Sequence, residues 1–287
     1  MIKEIIDKLV ALLAVSALLA SCSESELWQN PQTEARDGYI MLNFKTEIPA
    51  MQEVVTRAVD PDGGGVQDMT LFCFDSYGLF ISTVKAGVTV QKPGPGEMEG
   101  TFKAEVPENT RTIHFLANQN MDEFKEDSFR NKSESEVMAV LEGSSGRMIY
   151  WGRFACDAGN DSNIAEQMAT SGNSVKLIRN HARISVDNPD NNGHIVITGF
   201  AVCNTNAFGT VAPHHPKKGF DFTWPSSDDP FVTLPVNDAK MSDITDVTSS
   251  MNQYVFECEN SADAPVSVIL RGHLPDQDEE KYYLSLI

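Results

Sequence analysis

The chain of 287 residues carries 41 acidic against 22 basic side chains, which gives a formal net charge of −19 at pH 7. This excess of negative charge disfavours nucleic acid as a partner, because phosphate binding needs clustered cations. The length is sufficient for one large domain or for two domains of ordinary size.

A short apolar run near the start of the chain is followed by a cysteine. The run Leu9–Ala20 follows Lys8 and is twelve residues long, which is too short for a stable helix across roughly 30 Å of hydrocarbon. Cys22 comes directly after Ser21. This pattern is typical of a bacterial lipoprotein signal, and it predicts cleavage between Ser21 and Cys22 with acyl chains on Cys22.

A polar segment follows the predicted signal peptide, residues 1–21. Residues 22–37 begin with Cys22-Ser23-Glu24-Ser25-Glu26, which resembles the acidic tracts of surface-exposed lipoproteins of Bacteroidetes. We expect a flexible tether here and a lipoprotein of the outer membrane, exposed on the cell surface. The alternative is an ordinary secretory signal, after which Cys22 stays a free thiol.

Short apolar segments of strand character dominate the following part of the chain. They are Tyr39–Phe44, Val66–Asp75, Leu79–Val84, Thr101–Val106 and Thr112–Ala117. Val66–Asp75 has apolar residues at both its odd and its even positions, which predicts a strand covered on both faces. The alternation in Thr112–Ala117 predicts that Thr112 and His114 face outward.

One segment among these strands has a helical pattern. Ser133 and Glu136 have the spacing of a capping box, and Val137, Val140 and Leu141 share one face of a helix. We therefore expect one or two short helices among the strands.

A second series of strands follows the polar stretch Ala169–Ser174. Its members are Val175–Ile178, Ala182–Val186, His194–Cys203, Phe208–Val211, Phe220–Trp224, Gln253–Glu257, Val266–Arg271 and Tyr282–Ile287. Short strands at this spacing predict β-sandwiches. The expected fold class is all-β, with an N-terminal domain over residues 38–172 and a C-terminal domain over residues 173–287.

Sequence motifs for catalysis are missing: the chain has no G-x-S-x-G, no H-E-x-x-H and no glycine-rich phosphate loop. Asp60-Pro61-Asp62-Gly63 lacks the bidentate acid of a calcium loop, and His214-His215 has no third ligand at useful spacing. We predict no catalytic residues, no metal and no cofactor. A glycosidase pair of carboxylates needs no sequence proximity, so that class stays open.

Four cysteines follow Cys22: Cys73, Cys156, Cys203 and Cys258. An exported protein can pair them as disulfides. Cys73 and Cys203 lie inside apolar strands, so the favoured interpretation is that they are buried thiols.

A single arginine lies in the polar, glycine-rich connection after the first strand. Arg57 and Ala58 occupy Val54–Val59, and Asp60–Gly65 follows. A trypsin-like protease would cleave between Arg57 and Ala58. The alternative is that Arg57 is an ordinary loop residue.

The order of these features resembles the fimbrillin superfamily of Bacteroidetes, which comprises the major, anchor and tip subunits of type V pili. The segments that carry the resemblance are Cys22, Tyr39–Phe44, Thr56-Arg57-Ala58, Met69–Ile81, Phe115–Asn118 and Val175–Val186. They cover nearly the whole chain.

The resemblance implies two transthyretin-like β-sandwich domains and export as a lipoprotein. It implies that an arginine-specific protease cuts between Arg57 and Ala58 and so releases the first strand. A strand from another pilin subunit would then fill the open groove. Either Ile40, Leu42 and Phe44 or their neighbours Met41 and Asn43 would occupy the groove before that exchange.

Two further expectations concern the subunit type. The chain ends inside the strand Lys281–Ile287, where members of the superfamily usually continue. A truncated sequence would leave an open sheet edge with no donor strand of its own, which favours an end position in the pilus or an accessory lipoprotein over a shaft subunit. The alternative function is a surface lipoprotein that binds glycans through Trp28, Trp151 or Trp224. The strand context of Trp151 favours core packing instead.

Overall fold

The computed structural model describes residues 35–48, 65–92, 99–144, 147–187, 195–214, 231–246 and 250–286. These residues form strands with two short α-helices, α1 (Glu134–Met138) and α2 (Ile164–Thr170), and a 3-10 helix at Glu126–Ser128. The strands in chain order are β1 (Tyr39–Glu47), β2 (Met69–Phe74), β3 (Phe80–Lys85), β4 (Gly87–Lys92), β5 (Glu99–Pro107), β6 (Thr112–Ala117), β7 (Glu142–Ser144), β8 (Tyr150–Ala155), β9 (Ser174–Lys176), β10 (Ile178–Arg179), β11 (His181–Asp187), β12 (Val196–Cys203), β13 (Phe208–Thr210), β14 (Thr245–Asp246), β15 (Ser250–Phe256), β16 (Ser267–His273) and β17 (Lys281–Leu286). The all-β prediction is confirmed.

The first part of the chain folds as two packed sheets. One sheet has the order β4-β5-β1-β9 and the other has the order β10-β8-β6-β2-β3. Alternate residues of β1, β5, β2 and β6 point between the sheets and form one buried apolar cluster. β1 and β5 alternate apolar and polar residues, so that one face of their sheet is apolar and packs on the five-stranded sheet.

The five-stranded sheet is buried on both of its faces. All six residues of β2 are buried, as the apolar residues at odd and even positions predict. The expectation that Thr112 and His114 face solvent is wrong, since both are buried. Their face of the sheet is covered by α1 and by Val211, Ala212, Phe231 and Val232 from the later part of the chain.

Both helices begin with a capping box. At α1 the Ser133 side chain accepts from the Glu136 backbone N–H, while the Glu136 carboxylate accepts from the backbone N–H of Ser133. Asn163 and Glu166 form the same arrangement at α2. The prediction of a helix at Ser133 is therefore confirmed, but α1 ends at Met138, so Val140 lies beyond it and is exposed.

The later strands form a second, smaller group of sheets. β11 pairs with β15, and the other sheet has the order β14-β12-β16-β17. Val186, Phe200, Val202 and Val266 form its buried apolar cluster. β17 lies at an edge of its sheet, and all six of its residues are exposed.

Two short strands after the predicted boundary at residue 172 complete the first pair of sheets. β9 pairs in parallel with β1, and β10 pairs with β8. The strand pairing therefore assigns residues 174–179 to the first sandwich rather than to the second, because hydrogen bonding between strands decides sheet membership. β7 and β13 form a further ladder between the two parts of the chain.

Candidate functional site

The predicted displaced strand is the part of the candidate site that the structure describes. Ile40, Leu42 and Phe44 lie in β1. The predicted signal cleavage and lipidation positions, Ser21 and Cys22, and the predicted maturation positions, Arg57 and Ala58, lie outside the described residues. Trp28, Trp224 and His215 also lie outside them.

β1 is an interior strand of the four-stranded sheet. It pairs antiparallel with β5 from Tyr39–Pro107 to Thr46–Gly100. On its other side it pairs in parallel with β9. The backbone N–H of Lys45 donates to the Asn173 carbonyl at 2.8 Å, and that of Leu177 donates to the Glu47 carbonyl at 2.8 Å. Removing β1 would therefore leave two strands without their partner.

The side chains of β1 that point between the sheets are almost fully buried. Ile40, Leu42 and Phe44 expose 6%, 2% and 0% of their surface. Phe44 stacks on Phe102 with a centroid distance of 5.5 Å and meets the edge of Phe115 at 5.0 Å. Each such burial contributes roughly 1.5–3 kcal/mol. These three residues belong to the cluster between the sheets, whereas Met41 is buried outside that cluster and Asn43 is only partly buried.

Polar contacts fix both ends of β1. At its start, the Arg36 guanidinium lies 2.6 Å from the Glu105 carboxylate and 4.2 Å from the ring centroid of Tyr39. At its end, the Ser174 hydroxyl donates to the Glu47 carboxylate. That hydrogen bond lowers the pKa of Glu47, and nearby Lys45 acts in the same direction. The strand is thus positioned along its whole length.

The connection from β1 to β2 contains the predicted cleavage position. The described part of the chain stops at Ile48 and resumes at Gly65, and Arg57 lies in the intervening residues 49–64. A cut after Arg57 would break the covalent link between β1 and the remainder of the sandwich. β1 would then be held by its hydrogen bonds and its buried side chains alone.

A polar cluster lies on the face of the five-stranded sheet that points away from the four-stranded sheet. The indole N–H of Trp151 donates to His114 Nδ1 at 3.1 Å. His114 Nε2 therefore carries the proton and donates to Glu134 at 2.7 Å. Arg153 donates to both oxygens of Glu134 at 2.6 Å and 3.0 Å. Phe231 stacks on the His114 ring at a centroid distance of 5.6 Å.

The titration behaviour of this cluster follows from its burial and pairing. Burial lowers the pKa of His114 against the raising effect of Glu134. Burial also acts to raise the pKa of Glu134, but the hydrogen bonds from His114 and Arg153 outweigh it and hold that pKa at about 2. The cluster is a satisfied ion pair inside the fold. Sequence reasoning missed it because His114 alternates with apolar residues and looked exposed.

Three of the remaining sequence candidates, Trp151, Cys73 and Cys203, lie in the core. Trp151 is fully buried beneath the His114 cluster, so it cannot stack on a sugar without unfolding its surroundings. Cys73 and Cys203 are buried free thiols, and Cys156 and Cys258 are free and partly exposed. Burial raises the pKa of Cys73 to about 12. The prediction of buried thiols for Cys73 and Cys203 is confirmed.

Two comparisons with known proteins return nothing: no family model and no curated protein matches the chain. None of the helices in the described residues is long and apolar enough to cross a membrane.

Several solved structures are similar to the chain. A candidate cell adhesion protein from Parabacteroides distasonis has 14% sequence identity and a TM-score of 0.48, over 86% of this chain and 80% of that one. A candidate cell adhesion protein from Bacteroides eggerthii has 11% identity and a TM-score of 0.44, over 86% and 79%. The fimbrial anchor protein Mfa2 from Porphyromonas gingivalis has 10% identity and a TM-score of 0.26, over 86% and 82%. At such low identities and TM-scores, individual residues of these proteins cannot be transferred to this chain.

Proposed function

We propose that the chain is a structural subunit of a surface pilus of the fimbrillin type, with a role in adhesion. It is exported as a lipoprotein, attached to the outer membrane through Cys22, and matured by an arginine-specific or trypsin-like protease that cuts between Arg57 and Ala58. The cut releases β1, and a strand from another pilin subunit takes its place. This function needs no catalytic residue and no cofactor.

The observation that carries the proposal is the position of β1. It is an interior strand with an apolar row in the core, yet its only covalent link to β2 runs through the segment that contains Arg57. An interior strand that is lost leaves unpaired backbone groups on both sides and empty apolar positions, which is the kind of groove that an added strand fills. Repeated head-to-tail contacts of this kind build a filament when they do not close into a ring.

The division into an N-terminal domain ending near residue 172 and a C-terminal domain after it is part of the same proposal. The pairing of β10 in the first sandwich and of β11 with β15 supports a boundary between Arg179 and His181 in the proposed division. In this division, the proposed cut after Arg57 and the release of β1 both fall in the N-terminal domain.

The test is the amino terminus of the protein in sheared surface material, measured by mass spectrometry on cells that make the full chain. We expect the wild type to start at Ala58 and Arg57→Ala to remain at lipidated Cys22. Arg57→Lys separates the two protease classes, because an arginine-specific enzyme leaves it intact and a trypsin-like enzyme cuts it.

Arg36→Ala is the matched control. Arg36 is exposed, with 66% of its side-chain surface accessible, but a cut there would free the lipid anchor without releasing β1. Its product should start at Ala58, as in the wild type. A wild-type protein that starts only at Cys22 in the sheared fraction, or Arg57→Ala protein that still starts at Ala58, would contradict the proposal.

A further inference from the structure

One inward position of β1 does not match its surroundings. The row that points between the sheets runs from Ile40 through Leu42, Phe44 and Thr46 to Ile48, and all five side chains are buried. Four of them are apolar. Thr46 is fully buried as well, and it is the polar member of the row.

The Thr46 hydroxyl has no hydrogen-bond partner among the described residues. Its backbone is opposite Gly100 in β5 and Val175 in β9, and the Val175 side chain is itself buried and apolar. A hydroxyl that loses its water contacts without gaining a partner destabilises the state in which it is buried. The native strand therefore fills the groove imperfectly at this position.

From this mismatch we infer that the groove vacated by β1 binds a strand with an aliphatic, β-branched residue such as valine at the position of Thr46 more tightly than a strand with threonine there. The inference rests on the proposed function, because it describes the partner of that groove. Valine has the branched shape of threonine without the hydroxyl, so it fills the same space and leaves no unpaired polar atom.

The apolar positions of the groove show why β1 and a replacing strand are expected to differ in fit mainly at the position of Thr46. A replacing strand can match the backbone hydrogen bonds of β1 and the apolar positions of Ile40, Leu42 and Phe44, which are already well filled. Thr46 is the one residue of the row that a side chain of the same size, valine, can replace with a gain in stability, because the unpaired hydroxyl is removed.

The hydrogen bonds to β9 show what a replacing strand would have to match at this end of the groove. The Asn173 carbonyl and the Leu177 N–H bond to Lys45 and Glu47 in a parallel ladder. A replacing strand that runs in the same direction as β1 would keep these hydrogen bonds, because parallel and antiparallel ladders space their hydrogen bonds differently.

The first test uses the uncut full chain and its melting temperature. Thr46→Val should raise the melting temperature by about 2–4 °C, the shift that removing one unpaired buried hydroxyl gives in a chain of this size. Thr46→Ser keeps the hydroxyl and should not rise above the wild type. Thr101→Val is the matched control, since Thr101 lies beside β1 in β5, opposite Lys45, and is only partly buried. A Thr46→Val protein that melts at or below the wild-type temperature overturns the inference.

The second test measures replacement directly. The full chain is cut with an arginine-specific protease, and two synthetic peptides of residues 39–48, one with threonine and one with valine at position 46, compete for the groove. The valine peptide should compete about tenfold more strongly. Equal competition overturns the inference and leaves the proposed function intact. Failure of both peptides to enter the cut protein overturns the proposed function and the inference together.

Discussion

The buried ion pair of Glu134 and Arg153 shows how single polar residues are placed in this fold. The Arg153 side chain exposes 5% of its surface and that of Glu134 exposes 12%. Taking both charges out of water is unfavourable, and the fold compensates through the two hydrogen bonds from Arg153 and the third from His114. Removing one partner would leave an uncompensated buried charge.

We expect Glu134→Ala to lower the free energy of unfolding by about 3 kcal/mol, because Arg153 and His114 lose their acceptor together. Urea denaturation at pH 7 measures this change. Glu123→Ala is the control: Glu123 is exposed and should change the free energy of unfolding by less than about 0.5 kcal/mol. Equal effects of the two variants would contradict the structural role assigned to the cluster.

The same residue sets the expected response to acid. The pKa of Glu134 is about 2 in the folded protein and 4.5 as a model value, so its contribution to stability is present above pH 4.5 and is lost as the pH falls toward 2. The lowered pKa of His114 acts in the same direction and weakens the fold as the pH falls below 6.5. Glu134→Ala should therefore show a shallower loss of stability below pH 4.5 than the wild type does.

At the scale of single elements, β1 combines high burial with an attachment that the proposed cut after Arg57 would leave noncovalent. Its stability within the uncut chain depends on Phe44, which contacts both sheets. Lys45, on its other face, contributes less, since its side chain is exposed.

Phe44→Ala should destabilise the uncut protein by about 3–5 kcal/mol, because it leaves a cavity between Phe102 and Phe115. Lys45→Ala, one residue along the same strand, should cost less than about 0.5 kcal/mol. Urea denaturation of both proteins measures the difference. If the two variants were equally stable, β1 would not hold the sheets together in the way that its contacts indicate.

Local patterns predicted most of the elements but few of their partners. The apolar alternation in β2 and β6 and the Ser133–Glu136 spacing at α1 are local signals, and they predicted elements that the structure contains. The second capping box, Asn163 with Glu166, is equally visible in the sequence and would have located α2.

Pairing between distant strands could not be predicted in the same way. β9 and β10 lie together in sequence, yet they join opposite sheets of the first sandwich. Which strand an edge accepts depends on the whole arrangement of sheets and not on the pattern of the strand itself. The burial of His114 has the same origin, since its cover comes from Phe231, more than a hundred residues away.

For the molecule as a whole, the ladder of β7 and β13 joins the two parts of the chain, and the glycine in each strand lies close against a neighbouring residue. A Cβ atom added at Gly209 would clash with the Cβ of Phe256, and one added at Gly143 would clash with the end of the Asn180 side chain. Glycine is needed at position 209, because a Cβ atom of a strand cannot move aside, whereas the end of the Asn180 side chain can.

Gly209→Ala should destabilise the protein by about 1–3 kcal/mol through overpacking against Phe256, whose Cβ cannot move without its strand. Hydrogen exchange should become faster in β7 and β13 than in the wild type. Gly87→Ala provides the comparison, because the nearest atom to its new Cβ is 3.8 Å away. Unchanged exchange in Gly209→Ala would show that the two strands can separate to admit the methyl group.

The position of β1 between β5 and β9 also has a mechanical consequence. The hydrogen bonds of an antiparallel ladder lie across the strand direction, so a pull along β1 loads its bonds to β5 side by side and they must fail together. A pull at right angles would open them one after another. A strand seated in this groove therefore resists tension along its own axis better than it resists peeling, and in the proposed pilus this would hold neighbouring subunits together under a pull along the strand.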